Sequence, residues 1–150
     1  MSTLERAIQI AAQAHAGQVD KAGQPYILHP LRVMLRVDGD HERIAAVLHD
    51  VVEDSDVTVA QLEAEDFPPE VLDAVRALTK LPGETRIDAA ARAARNPVAL
   101  VVKLADNAEN MDLSRIASPT AKDHARLEEY RAVRKLLLAA QSGDPSGTER

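Results

Sequence analysis

Aromatic side chains are nearly absent from this chain of 150 residues, which has only Tyr26, Phe67 and Tyr130. A core without large rings must be filled by Ala, Leu, Val and Ile, a set that favours helices packed closely through small residues. The spacing agrees. Leu4, Ala7, Ile8, Ala11, Ala12 and His15 recur at i, i+3, i+4 intervals and predict a first helix. Ser2 or Thr3 would cap it and Gly17 would stop it. The stretch from Gly17 to Tyr26, with two glycines and a proline, reads as a loop. A short helix is expected from about Pro30 to Val37, ended by Asp38-Gly39-Asp40. A longer one follows from about His41 to Asp54, burying Ile44, Ala45, Leu48, Val51 and Val52. Thr58 opens a short helix through Leu62, and Pro68-Pro69 start another that carries Val71, Leu72, Val75 and Leu78. Three more are expected, near Arg86 to Ala94, from Val98 to Met111, and from about Thr120 to Ala140. The last would turn Leu127, Tyr130, Val133, Leu136 and Leu137 inward. No strand pair, internal repeat or heptad array is present. The fold class is all-α, with one domain over residues 1–141 and a flexible tail over 142–150.

Composition removes several functions. Eighteen Lys and Arg against 24 Asp and Glu leave a net charge of −6, the wrong sign for non-specific nucleic-acid binding. Without cysteine there is no disulfide framework, zinc–thiolate site or thiol catalysis. No run of apolar residues is long enough to cross a membrane, and the start, MSTLERAIQI, lacks a signal-peptide pattern. A cytoplasmic protein with neither nucleic-acid nor membrane partners is expected.

Three polar elements could carry chemistry. In His49-Asp50-Val51-Val52-Glu53-Asp54, a continuous helix would stack His49 on Glu53 and Asp50 on Asp54 at i, i+4. A solvated acidic face fits this poorly, because three carboxylates at a helix C-terminus oppose the dipole. A bound cation or a proton-transfer role explains them better. Lys103, Asp106 and Asn110 share one face of the next strongly apolar helix. An Asp there needs a partner, and a metal ion is one solution, although a stripe facing water reads equally well. His29, directly before Pro30, is more often a capped or core histidine when alone. Two histidines and two aspartates together suit Mn²⁺ or Fe²⁺, and also Zn²⁺, Co²⁺ or Ni²⁺.

Six segments occur in order: Gln13-Ala14-His15-Ala16-Gly17-Gln18, Gly23-Gln24-Pro25-Tyr26, His29-Pro30-Leu31-Arg32-Val33, the block from His49 to Asp54, Thr79-Lys80-Leu81, and Val102-Lys103-Leu104-Ala105-Asp106. Together they resemble the HD superfamily of metal-dependent phosphohydrolases. More narrowly, they are similar to the hydrolase domain of the RelA/SpoT alarmone enzymes and to the small alarmone hydrolases. The resemblance spans roughly residues 3 to 140 and implies a helical bundle around one divalent ion, usually Mn²⁺. It implies metal ligands at His29, His49, Asp50 and Asp106, and a water-activating pair at Glu53 and Asp54. It also implies a nucleotide pocket that includes Lys21 and Asn110. Lys80 is a further candidate for neutralising phosphate charge, and Lys103 is another. Tyr26 and His15 match positions read as scaffold. The implied reaction removes pyrophosphate from the 3′ position of (p)ppGpp. The family places an arginine just before Lys21, where this chain has Asp20, and a carboxylate cannot stack on guanine as a guanidinium does. The alternatives are an HD-type phosphatase acting on another nucleotide, such as a nucleoside monophosphate or the 2′-phosphate of NADPH, and a non-catalytic nucleotide sensor. The Leu136-Leu137-Leu138 run could pack internally or serve a homodimer.

Overall fold

The computed structural model describes residues 2–143, so from residue 144 onward the expected tail lies outside the described residues. The helices in chain order are α1 (Leu4–Ala14), α2 (Leu28–Leu35), α3 (Asp40–Leu48), α4 (Val51–Asp54), α5 (Val59–Ala64), α6 (Pro69–Leu78), α7 (Arg86–Ala93), α8 (Pro97–Met111) and α9 (Ala121–Gln141). Among the described residues there is no strand, only an isolated bridge between Val19 and Pro25. None of these helices is long and apolar enough to cross a membrane.

Side-chain caps set most of the helix starts. Thr3 accepts from Arg6 N at the head of α1, and Asn96 accepts from Ala99 N at the head of α8. Thr58, Thr85 and Thr120 form reciprocal capping boxes with Gln61, Asp88 and Asp123. Such caps contribute about 1 kcal/mol each.

Helix α3 lies at the centre, since Ile44, Ala45, Ala46, Val47 and Leu48 are all buried. A helix apolar on every side must be surrounded, and α1, α2, α6 and α8 pack against it. One part of the core joins Ala7, Ala11, Val47, Leu48, Leu62, Phe67, Val71 and Val75. Another joins Val33, Ala45, Ala46, Ala99, Val102 and Ala105. Helices α7 and α9 add an outer wall through Ala90, Val133 and Leu137. Glu109, buried on α8, accepts from Arg32 Nε at 3.1 Å and Arg36 Nε at 2.5 Å, which ties α8 to α2.

Two local expectations change. Helix α2 begins at Leu28, two residues before Pro30. Proline is tolerated there because the first N–H groups of a helix have no intrahelical partner. The helix expected from His41 to Asp54 is two helices. Ala46 O receives His49 N at 3.4 Å and also His49 Nδ1 at 2.5 Å, and the chain turns before restarting at Val51. Glu53 and Asp54 therefore lie in the first turn of α4, where carboxylates are favoured, and not at the end of a long helix.

Candidate metal centre and its two chambers

Four side chains converge from three core helices and one turn. His29 comes from α2, His49 from the end of α3, Asp50 from the turn, and Asp106 from α8. His29 Nε2 lies 2.8 Å from Asp106 Oδ1. His49 Nε2 lies 3.0 Å from Asp50 Oδ2 and 3.3 Å from Asp106 Oδ1, and His29 Nε2 is 3.9 Å from Asp50 Oδ2. Ligand atoms of His29, His49 and Asp50 fall within 4.8 Å of one another, a spacing a single cation can bridge.

The donor set fits a divalent ion. His49 Nδ1 donates to Ala46 O, which leaves Nε2 as the lone-pair nitrogen. That nitrogen is buried with no hydrogen bond and faces two carboxylates. A lone pair among carboxylate oxygens is stable only with a proton or a cation between them. Without a metal, the proton is the one available. Burial works against a charged His49, but Asp50 and Asp106 outweigh it and hold the imidazole well above its ordinary pKa. Burial also works against ionised Asp106, yet Lys103, His29 and His49 hold it well below the usual carboxylate range. A mixed nitrogen and oxygen set without thiolate suits the borderline divalent metals.

The surroundings brace these groups. Tyr26 Oη donates to Asp50 Oδ2 at 2.5 Å, and burial together with Asp50 pushes the phenol far up. Lys103 Nζ donates to Asp106 Oδ2 at 3.4 Å and Asn110 Nδ2 to Asp106 Oδ1 at 3.3 Å. The rings of His15, Tyr26, His29 and His49 follow one another at centroid spacings of 5.0, 5.6 and 5.6 Å. Gln18, in contact with His15 Nδ1 at 2.9 Å, donates through Nε2 to Asp54 O at 2.9 Å.

The centre opens into a cavity of about 340 Å³ whose walls include Glu53, Asp54, Lys80, Arg86, Lys103 and Tyr130. Glu53 Oε1 accepts from Lys80 N at 2.9 Å, so Lys80 steadies Glu53 through its backbone. Desolvation, with the charges of Asp50 and Glu53, raises Asp54 above its ordinary value, which makes it a better proton acceptor. Arg86 stacks over the Tyr130 ring at 5.3 Å and pairs with Glu129. Below it, Arg92 donates to Glu84 from Nε at 2.8 Å and Nη2 at 2.9 Å and to Thr79 O at 2.6 Å, which fixes the connection between α6 and α7.

A second chamber of about 320 Å³ adjoins the first, and Tyr26, His29, Asn110 and Tyr130 line both. Lys21 belongs to this second chamber, where Nζ pairs with Asp123 Oδ1 at 2.9 Å. The structure thus brings His29, His49, Asp50, Glu53, Asp54, Lys80, Asp106 and Asn110 around one cavity and sets Lys21 in its neighbour. Sequence reasoning missed Arg86, Asn107, Arg115 and Arg126 as lining residues and took Tyr130 for core only. The positions of Arg86, Arg126 and Tyr130 follow from the docking of α7 and α9, and that of Arg115 from the α8–α9 connection, for which no local spacing gives a signal.

Comparison with known proteins gives concordant findings. A family model described as HD domain matches residues 7–100. A probable GTP pyrophosphokinase of Mycobacterium leprae is 38% identical over 132 residues, covering 79% of this chain and 17% of that protein. A guanosine-3′,5′-bis(diphosphate) 3′-pyrophosphohydrolase of Vibrio cholerae is 36% identical over 125 residues, covering 74% and 18%. The chain thus spans less than a fifth of these curated relatives. A solved structure described as a metazoan ortholog of SpoT that hydrolyzes ppGpp superposes with a TM-score of 0.76 at 27% identity, covering 93% of this chain and 85% of that one.

Proposed function

Because the chain belongs to the HD-domain family, we propose that it is a divalent-metal-dependent phosphohydrolase that removes the 3′-pyrophosphate of (p)ppGpp. The observation that carries this reading is the buried, unbonded His49 Nε2 facing Asp50 and Asp106 at the floor of a cavity with two further carboxylates. The relatives named as ppGpp hydrolases and the structural match to a ppGpp-hydrolyzing protein support the substrate.

His29, His49, Asp50 and Asp106 would hold the ion, which we take to be Mn²⁺. When bound, it supplies Lewis-acid chemistry, acidifying a water and offsetting phosphoryl charge. Glu53 and Asp54 orient the attacking water and accept its proton. Lys80, Arg86 and Lys103, on the same cavity wall, neutralise the anionic phosphates, which the net negative charge of the chain would otherwise repel. Asn110, shared by both chambers, holds Asp106 and meets the substrate where it passes from one chamber to the other. Lys21 contributes to the nucleoside end. The nucleotide is the partner of this site, and the protein works in the cytoplasm.

The deciding experiment is hydrolysis of ppGpp by purified protein with and without Mn²⁺, scored for pyrophosphate and GDP. Mn²⁺-dependent pyrophosphate release is expected. Orthophosphate from NADPH or a nucleoside monophosphate, with ppGpp untouched, would replace the alarmone by another nucleotide.

A further inference from the structure

Glu53 is an exposed side chain on the wall of the metal cavity, and an exposed glutamate samples many rotamers unless something holds its carboxylate. Helix α4, which carries it, is a single turn and too short to be rigid on its own. Among the described residues, the hydrogen-bond donor to that carboxylate is Lys80 N, 2.9 Å from Oε1. This donor lies in the connection between α6 and α7, outside any helix. Its position therefore depends on whatever fixes that connection.

Arg92, on α7, fixes it. Its three nitrogens reach four acceptors: Nε donates to Glu84 Oε2 at 2.8 Å, Nη2 to Glu84 Oε1 at 2.9 Å and Thr79 O at 2.6 Å, and Nη1 to Arg76 O at 3.2 Å. Glu84 in turn accepts from Leu81 N at 2.7 Å, which closes the connection on itself. Thr79 stands where α6 ends, in an extended backbone, with its hydroxyl donating to Val75 O at 2.7 Å. The bond to Arg76 O is an ordinary contact with a carbonyl left free at a helix C-terminus. The bond to Thr79 O is different, because the carbonyl that Arg92 takes and the N–H that Glu53 takes belong to one peptide group. That group is planar, and with no cis bond among the described residues its C=O and N–H point in opposite directions. One rigid plane thus separates the guanidinium from the Glu53 carboxylate. A cation on the oxygen sets the rotation of that plane and polarises the amide, which makes its N–H a stronger donor.

We propose that Arg92 is a positioning residue for Glu53, acting through the Thr79–Lys80 peptide to orient the carboxylate that meets the attacking water. The inference rests on the reading of the protein as a phosphohydrolase in which Glu53 handles that water. Arg92 lies outside the walls of both chambers, so it acts on turnover and not on the affinity for nucleotide or metal. The device needs the planar fork. An ammonium has one nitrogen and cannot hold Glu84 and Thr79 O with separate arms.

The test is a double-mutant cycle in the full chain, read in two ways. Steady-state kinetics on ppGpp with Mn²⁺ report the function, and the ¹H–¹⁵N signal of the Lys80 amide, recorded without the paramagnetic ion, reports the hydrogen bond. Arg92→Met keeps the apolar stem and loses the donors. It should lower kcat about tenfold, with KM and Mn²⁺ affinity changed by less than about twofold, and should move the Lys80 amide proton upfield. In a Glu53→Gln background the same substitution should cost less than about twofold in kcat, because the group it positions is already disabled. Should Arg92→Met lose its helical circular dichroism, Arg92→Lys, which keeps a charge beside Glu84, carries the same comparison. A Lys80 signal that the Arg92 substitution leaves in place would overturn the inference and spare the alarmone reading, as would an equal loss of kcat in the wild-type and Glu53→Gln backgrounds. Wild type that leaves ppGpp uncut, while the Lys80 signal responds to both Arg92→Met and Glu53→Gln, would sink the alarmone reading and sustain the positioning of Glu53.

Discussion

The two chambers share a wall but are built from opposite materials. The proposed metal centre takes three of its four donors from α2, the end of α3 and α8, where His29, His49 and Asp106 are 7%, 4% and 6% exposed. Apart from Glu109 of α8, the second chamber takes its charged groups from the loop after α1, the α8–α9 connection and the outer helix α9, and the side chains of Lys21 and Arg115 are 49% and 33% exposed. Side chains on packed core helices are held in fixed positions, while those on loops and an outer helix can change without disturbing the core.

Three substitutions probe that division, beginning with the largest expected effect. Asp50→Ala removes a donor at the centre. It should abolish turnover and the rise in melting temperature that Mn²⁺ gives wild type, with helical circular dichroism retained and GDP binding still measurable. If turnover persisted, the cavity floor would not be the reacting site. Glu53→Gln keeps the contact with Lys80 N within reach but cannot accept a proton, and should lower kcat by about 100-fold with Mn²⁺ affinity preserved. Tyr26→Phe takes the hydroxyl from Asp50 Oδ2 and should weaken Mn²⁺ about tenfold by titration. An equal loss in GDP affinity would show that the shared wall, rather than the carboxylate alone, had moved.

The smallest effect lies at the α6–α7 connection and depends on pH. Arg92 and Leu81 N hold Glu84 down at about 2 from an ordinary value of 4.5. A carboxylate depressed on folding stabilises the native state above its unfolded pKa, and loses that contribution as pH falls from 4.5 toward 2. Glu84→Gln should therefore flatten the fall in melting temperature across that window while leaving the slope above it unchanged. An unchanged acid limb would mean that the clamp forms equally in the unfolded chain.

The helices were largely readable from sequence because their signals are local. Thr3 and Thr58 mark starts that the structure keeps, the start expected at Val98 moves one residue to Pro97, and of the Leu4-to-His15 spacing Ala7, Ala11 and His15 are buried while Ala12 is exposed. The break after Leu48 was not readable. It depends on a side-chain nitrogen of His49 taking the Ala46 carbonyl, a choice made by the packing of α3 and not by the propensity of any residue. The polar residues that converge on the cavity floor could be picked out because His49 and Asp50 are adjacent and Asp106 stands out in an apolar helix. The companions of Asp20 could not, since Arg115 is 95 positions distant. Asp20 itself read as the loss of a cation, whereas the fold brings a guanidinium to it from elsewhere in the chain.

Tyr26, His29, Asn110 and Tyr130 each belong to both chambers. Whatever settles in one chamber restricts the side chains that form the other, so the two occupancies are thermodynamically linked. Linkage is reciprocal: the factor by which a nucleotide tightens the cation equals the factor by which the cation tightens the nucleotide. On the function proposed above, a change in the free divalent metal would then change the nucleotide affinity of this site, and the nucleotide pool would in turn set how much of the protein carries metal.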